Sequence, residues 1–387
     1  MTYDFDTIIN RCGTDSMKFD GAAVFGKPAD VLPLWVADMD FPAPPQVLDA
    51  LHSRVTHGIF GYCEPDAAYF DALKNWFTGR FGYEFSRDWV VIAPGVVYAL
   101  SIALRAFSKR NDAILIQEPV YYPFKEIILL NNRRLIVNEL QCNEKYFIDF
   151  ADFEQKIITN NVKIFILCSP HNPVSRCWTA DELREISRIC TKHNVLILSD
   201  EIHCDFIFDG NTHRVLPALC PHENILLFTA PSKTFNLAGL QLSNVFISNS
   251  KLRETFNRHA AKNAHEIPSA LGVVACRAAY THGSEWLAAL NDYLWSNYMY
   301  LDAFLKTNMP VIRLVPPQAT YLAWLDCRAL GLSSKQLDRK LTLEAKLWLS
   351  PGSIYGASGD GFMRINIACP RTTLETCMER WRKIIFA

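Results

Sequence analysis

The chain has 387 residues, 50% of them hydrophobic and 12% aromatic, which is enough to bury one large domain plus a smaller one and excludes a disordered chain. Lys+Arg 39 against Asp+Glu 40 leaves a formal net charge of −1, so no electrostatic footprint for nucleic acid or an anionic membrane is present. The expected partners are small molecules and copies of the chain itself.

The opening stretch "MTYDFDTIINRCGTDSMKFD" has acidic residues early and no apolar centre, which argues against a signal peptide. "GAAVFGKP", residues 21–28, has the Gly-x4-Gly-Lys spacing of a phosphate loop. Pro28 stands where a Ser or Thr must reach magnesium, and no buried strand precedes it, so that reading is dismissed. Residues 1–45, with Pro33, Pro42, Pro44 and Pro45, read as an arm leading into a large domain over 46–275.

From about residue 88, β-prone apolar runs alternate with helical patterns: "WVVIA", "DAILIQ", "RRLIVNEL", "VKIFILC", "VLILSD", "NILLFTA" and "SNVFIS". Runs without polar alternation suit strands covered on both faces. Before the fifth run, "WTADELREISRICTKHN" offers Thr179 and Glu182 as a capping box, with Leu183, Ile186, Ile189 and Cys190 as the apolar stripe of a helix. The repeated βαβ pattern predicts a mostly parallel sheet with right-handed crossovers. "VVIAPGVVYALSIALRAF" is interrupted by Pro94 and Gly95 and does not read as a membrane span, which needs about eighteen or more apolar residues in a row.

After residue 275 longer helical stretches appear, then the strand-like "TYLAWLDC" and "GFMRINIAC" and a last helix. Residues 276–387 are therefore expected to form a smaller α+β domain. The last helix is expected to open on a Thr372–Glu375 capping box, with Leu374, Met378, Trp381 and Ile385 as its apolar face. The twelve cysteines are scattered without a Cys-x-x-Cys pair; Cys168 and Cys190 read as small apolar core residues, and a reducing cytoplasm is the expected compartment. No metal is expected, since the neighbours His203 and Cys204 lack zinc-ligand spacing. No Gly-x-Gly-x-x-Gly turn opens a βαβ unit, and the glycines of "GASGDG" are in the wrong order for a dinucleotide.

Chemistry gathers at the strand ends, where open α/β sheets bind ligands. "ILCSPHNP" ends in Asn172, "LILSDEIH" in Asp200 and His203, "LFTAPSK" in Ser232 and Lys233, and "VVIAPGVV" in a turn opening a helix at Val96. Each alone has an ordinary explanation: an Asn before Pro forms turns, a strand-end Asp caps, and a strand-end Lys faces water. Together they supply an amine, a carboxylate, an amide and a helix N-terminus ready for a phosphate. Pyridoxal phosphate needs that set.

The chain resembles fold-type I pyridoxal-phosphate enzymes of the class I/II aminotransferase superfamily, and within it the cystathionine β-lyase and cysteine desulfhydrase branch of carbon–sulfur lyases. The resemblance runs through "RCGTDSMKFD", "LPLWVADMDFPAP", "HGIFGY", "APGVVYALS", "PVYYPF", "CSPHNP", "SDEIHCDF", "APSKTFNLAGLQ" and "GFMRINIACPR". It implies an aspartate-aminotransferase-like α/β fold, with a mostly parallel seven-stranded sheet flanked by helices, a smaller α+β domain and a homodimer with shared active sites. It further implies Lys233 as the Schiff-base lysine and base for the Cα proton, Asp200 against the pyridinium nitrogen and Asn172 on the ring hydroxyl. Tyr121 would stack on the ring, and Tyr122 would assist proton transfer or departure of the leaving group. The amides of Val96 and Val97 with Ser232 would hold the phosphate, joined by Tyr62 from the partner subunit. Arg364 would clamp the substrate carboxylate, with the backbone near Trp35 and Val36 closing over it.

Two departures separate the chain from aspartate aminotransferases. His203 stands where those enzymes place a tyrosine on the ring hydroxyl, and Gln241 stands where they place a phosphate-gripping arginine. Both match the lyase branch. Three functions follow from the sequence: a carbon–sulfur β-lyase on cystathionine, cysteine or a related thioether, an aminotransferase of an apolar or aromatic amino acid, or a cofactor-binding regulatory protein.

Overall fold

The computed structural model describes residues 3–264 and 267–385, so the first two residues of the N-terminal stretch lie outside it. The seven apolar runs form one sheet: β1 (Val90–Ala93), β2 (Ala113–Glu118), β3 (Arg134–Glu139), β4 (Val162–Cys168), β5 (Leu196–Asp200), β6 (Ile225–Thr229) and β7 (Ser243–Phe246). Their order is β1-β7-β6-β5-β4-β2-β3, with every pair parallel except those made by β7, which runs against both its neighbours. Alternate side chains serve opposite faces. Ile114, Ile116, Ile164 and Ile166 face the helix Val96–Phe107, while Ala113, Leu115, Phe165 and Leu167 face the helices Phe150–Asn160 and Ala180–Lys192. Each fully buried Leu or Ile of this kind contributes about 1.5–3 kcal/mol.

The helix Ala180–Lys192 carries the expected capping box, with Thr179 Oγ1 accepting from the Glu182 amide and the Glu182 carboxylate accepting from the Thr179 amide at 2.7 Å. The last helix differs from expectation. It begins at Arg371, with the Pro370 carbonyl accepting from Thr373 and Leu374, so Thr372 lies inside the first turn and no Thr372–Glu375 capping box forms. Pro370 has no N–H to leave unpaired, which lets the helix open two residues earlier than Thr372 would place it.

A second sheet holds β8 (Arg313–Leu314), β9 (Leu322–Asp326), β10 (Ser350–Pro351) and β11 (Phe362–Asn366) in the antiparallel order β8-β9-β11-β10. The helices Ser284–Asn308 and Arg371–Ile385 pack with it in one apolar cluster. Leu32–Pro33 pairs in parallel with Leu347–Trp348 in a separate two-stranded ladder, which ties the N-terminal arm to the segment just before β10. Lys27 of "GAAVFGKP" donates to Asp338 at 2.8 Å and to Thr342, so that lysine serves the same tie. Among the described residues no helix is long and apolar enough to cross a membrane. All twelve cysteines are free thiols, nine of them buried.

Candidate active site

β5 and β6 deliver the two groups on which the site turns. Asp200 ends β5 and is 4% exposed, with Oδ1 accepting from the Ile202 amide at 3.1 Å. Burial pushes its carboxyl up to about 7, against the pull of that amide and of Lys233. Lys233 lies just beyond β6 in the one-turn helix Pro231–Thr234, its ammonium donating to the Ala37 carbonyl at 3.3 Å. Lys233 as a whole is half-buried. Burial lowers the amine to about 8, with Asp38 opposing that shift and Arg364 adding to it.

The second sheet and the arm close the site from the other side. Arg364, central in β11 and paired in register with Trp324 and Ser350, is 4% exposed. It donates through Nη1 to Asn172 Oδ1 at 3.1 Å and through Nη2 to the Trp35 carbonyl at 2.6 Å. Its Nε has no partner among the described residues. Two of five N–H donors are thus engaged, and the rest remain available for a carboxylate. The guanidinium also lies 5.0 Å from the centre of the Tyr355 ring. Trp35, Val36, Tyr121, Tyr122, Lys233 and Arg364 share one cleft of about 540 Å³.

Asn172, Asp200 and His203 do not line this cleft; each is 3–4% exposed, and Asn172 reaches it through its bonds to Arg364 and Tyr121. The Asn172 carbonyl accepts from the Tyr121 amide at 3.1 Å, which fixes the tyrosine relative to the floor. His203 meets the Tyr321 ring edge-on at 5.9 Å, and its Nδ1 has no hydrogen-bond partner among the described residues. Burial, then Lys233 and Arg364, press the imidazole well below its usual pKa, so it is neutral. Burial raises the Tyr121 and Tyr122 hydroxyls above their ordinary values, and both stay protonated.

Val96 and Val97 open the helix Val96–Phe107 after Gly95, with no side-chain cap and no acidic residue in the first turn. A Cβ placed on Gly95, just before this helix, would meet nothing within 4 Å, so there is open space beside the helix N-terminus. Ser232 sits beside Lys233 at the end of β6, and β1 and β6 flank the reversed β7, so the Val96 and Ser232 ends lie on one edge of the sheet. Tyr62 is not part of this cleft and is 94% exposed.

The sequence reading missed the residues that hold the arm in place. Asn366 is fully buried and donates to the carbonyls of Val36 and Asp38, both at 2.8 Å. Tyr321 donates to the Ala37 carbonyl at 2.7 Å, and Asn236 donates to Met39 and Phe41. Asn366 lies two residues beyond Arg364 on the same face of β11, a period-2 signal that could have found it. Arg11 and Lys18 of "RCGTDSMKFD" both pair with Asp40, at 2.7 and 2.8 Å, and Lys18 is 1% exposed. Gly356 of "GASGDG" has φ +136, and a side chain there would run into the Glu118 carboxylate, so that glycine lets the loop carrying Ser353 and Ile354 seat against the end of β2.

A lysine that is partly neutral near pH 8, a buried carboxyl and a guanidinium with open donors can bind an α-amino acid and move its Cα proton. The chain is 40% identical over 380 residues to cystathionine β-lyase PatB of Bacillus subtilis, covering 97% of this chain and 98% of that one. The crystal structure of cystalysin from Treponema denticola, which contains a pyridoxal 5'-phosphate cofactor, superimposes with a TM-score of 0.96 at 35% identity, covering 100% of this chain and 99% of that one. A pyridoxal-phosphate-bound C–S lyase from Staphylococcus hominis gives a TM-score of 0.95 at 32% identity, with the same coverage. The pattern of one family extends over residues 29–380, and with these likenesses it establishes that the chain belongs to the aminotransferase class I and II family and has its aspartate-aminotransferase-like fold.

Proposed function

We propose that the chain is a pyridoxal-phosphate-dependent carbon–sulfur β-lyase that cleaves L-cystathionine, L-cysteine or a related S-substituted cysteine to pyruvate, ammonia and a thiol or sulfide. The observation that carries this is the cleft lined by both Lys233, its amine lowered to about 8, and Arg364, whose Nε is unpaired, with the buried Asp200 carboxyl acting on the same amine from the end of β5. Relatives named as a cystathionine β-lyase, at 40% identity, and a C–S lyase, at 32%, support this reading.

The donor set fits the cofactor. Asp200 is a buried carboxyl that, among the described residues, accepts from a backbone amide alone, which suits it to a protonated ring nitrogen. The Asn172 amide, with its oxygen already taken by Arg364, keeps its N–H groups for the ring hydroxyl, and the buried His203 has an Nδ1 without a partner among the described residues. Tyr121 would cover the ring face. The uncapped amides of Val96 and Val97, with Ser232, would take the phosphate. The exposed Tyr62 would reach the site of a partner subunit in a homodimer.

When bound, the cofactor supplies a ring that draws off the electron pair left at the substrate's Cα. Arg364 holds the substrate carboxylate with its remaining donors and so orients the Cα–H bond. The Trp35 and Val36 backbone, pinned by Arg364 and Asn366, closes over the carboxylate and excludes water. Lys233, already desolvated, accepts the Cα proton as a neutral amine. Tyr122, kept protonated by burial, is placed to give a proton to the departing sulfur. The net change is one water consumed, with one C–S bond broken and pyruvate, ammonia and a thiol released.

The same division of the chain is proposed: an arm to residue 45, a large unit to 275 and a small unit beyond it. The small unit brings Arg364, and the arm brings Trp35 and Val36, to the strand ends of the large one. The free cysteines suit a reducing cytoplasm. The direct test is L-cysteine given to the purified, cofactor-loaded protein. Sulfide and pyruvate in equal amounts are expected, and the absence of both, with cystathionine equally inert, would remove the lyase assignment.

A further inference from the structure

The Lys233 ammonium donates to the Ala37 carbonyl at 3.3 Å, which places Asp38, the next residue of the arm, beside the reacting amine. The backbone on either side of Asp38 is pinned. The Ala37 carbonyl takes a second bond from Tyr321 at 2.7 Å, and the Asp38 carbonyl takes bonds from Asn366 at 2.8 Å and from Lys18 at 3.3 Å. The carboxylate itself is divided between two environments. Oδ2 pairs with Arg11 of "RCGTDSMKFD", whose Nη1 holds Asp40 at 2.7 Å. Oδ1 is buried and has no hydrogen-bond partner among the described residues. A carboxylate oxygen shut away from water without a donor is costly, so a fold that keeps one beside a lysine calls for a reason.

The charged groups that act on the Lys233 amine are Asp38 from the arm, Arg364 from β11 and Asp200 from β5, in that order of strength. His203 and Tyr321 face the same groups and are neutral. Lys233 forms no ion pair among the described residues, so Asp38 acts on the amine through space and leaves it free to react. Asp200 is the carboxyl expected to face a protonated ring nitrogen, and that cation offsets its charge once the cofactor is bound. Asp38 is then the anion left to the lysine. We propose that Asp38 is a positioning residue for the reaction: oriented by Arg11, its buried oxygen supplies the negative charge that offsets Arg364 and lets Lys233 hold the proton it takes from Cα. In that step the Cα–H bond breaks, its electron pair passes to the cofactor ring and the proton ends on Nζ, while Asp38 neither gives nor takes one. The inference rests on Lys233 as the base of the lyase site, and it gives Arg11 a part in the chemistry through the way Asp38 faces.

A counter-charge and a mere brace for the arm predict opposite signs. Removing a brace lets water reach Lys233 and moves its amine up toward 10.5, whereas removing a counter-charge moves it further down. Acylation of the full chain without cofactor, followed by mass spectrometry of the Lys233 peptide, reads that midpoint in wild type, Asp38→Asn and Asp38→Glu. The proposal predicts a fall from about 8 to roughly 7.5 or below in Asp38→Asn, with Asp38→Glu returning toward wild type. An unchanged or raised midpoint in Asp38→Asn would overturn it. That variant leaves Arg11 with Asp40 alone; if it does not fold, the charge-neutral Arg11→Gln/Asp38→Asn replaces it with the same fall expected, since Arg11 is not among the groups acting on Lys233. In the cofactor-loaded enzyme, the acid limb of kcat/KM for L-cystathionine should move to lower pH in Asp38→Asn, with the loss mainly in kcat. A raised KM on an unmoved acid limb contradicts the proposal and leaves Asp38 as a brace. If no S-substituted cysteine is cleaved, the lyase reading fails while the labelling still decides the role of Asp38.

Discussion

Arg364 Nη1 donates to Asn172 Oδ1 at 3.1 Å across 192 residues of chain, joining the second sheet to the end of β4 in the first. One contact thereby couples the group expected to hold the substrate carboxylate to the group expected to hold the cofactor's ring hydroxyl. Neither side chain can shift without moving the other, because both are 96% or more removed from solvent.

Replacing Arg364 separates charge from geometry. Arg364→Lys keeps a cation but loses the planar fork, so Asn172 and the Trp35 carbonyl cannot both be served while a carboxylate is bound. Arg364→Ala removes the charge as well and is expected to cost about 2–5 kcal/mol in kcat/KM, with the lysine variant falling between it and wild type. Steady-state kinetics on L-cystathionine read both, and wild-type values for Arg364→Lys would take the bidentate clamp out of the account.

Lys233→Ala is expected to abolish turnover and the yellow colour of the purified protein, since it removes the amine just beyond β6 that burial has lowered toward neutrality. A variant that stays yellow and active would remove that lysine from the chemistry.

The lowered Lys233 pKa has a reading in the cofactor-free protein. Its amine should react with an amine-directed acylating reagent with a midpoint near pH 8, well below the 10.5 of a free lysine. Because the folded value is depressed, the unfolded chain holds more protons between about 8 and 10.5, and this group's contribution to stability rises with pH through that window. Peptide mass spectrometry of the labelled lysine gives the midpoint. Labelling that begins only above pH 10 would contradict the desolvation argument.

Asp200 gives the opposite slope. Its folded pKa is raised to about 7 from 3.8, so the native state holds the extra proton between those values and this group's contribution falls as pH rises through them. In the cofactor-free protein, Asp200→Asn should therefore melt closer to, or above, wild type at pH 7 than at pH 4.5, while losing activity once cofactor is added. Thermal melts at the two pH values check the sign, and a difference between variant and wild type that does not change with pH would refute it.

Asn366→Ala leaves the Val36 and Asp38 carbonyls without their buried donor, and about 1–3 kcal/mol of stability should be lost. Urea unfolding measures that loss. The arm also loses its anchor over the cleft, so KM for the amino acid should rise with it; a destabilised protein with wild-type KM would confine Asn366 to folding.

The large sheet was legible in the sequence because each strand is an uninterrupted apolar run: β2 and β6 are buried at every position, and nothing but a strand covered on both faces explains them. The strand-end polar groups were legible for the complementary reason, since Asp200 and Lys233 break such runs at their ends. The arm was not. The bonds that fix Val36, Ala37, Asp38, Met39 and Phe41 to Asn366, Tyr321 and Asn236 are accepted largely by backbone carbonyls, and carbonyl acceptors leave no trace in side-chain pattern. Thr372 and Glu375 misled because their spacing fits a capping box wherever it occurs, whereas Pro370 decides where the helix begins.

The central claim is tested most directly by giving the purified, cofactor-loaded protein L-cystathionine and quantifying pyruvate, ammonia and free thiol together, with and without an added 2-oxo acid. The account predicts the three products in equal amounts, independent of the 2-oxo acid. Conversion of the 2-oxo acid to its amino acid without pyruvate or thiol would contradict it and make the protein an aminotransferase.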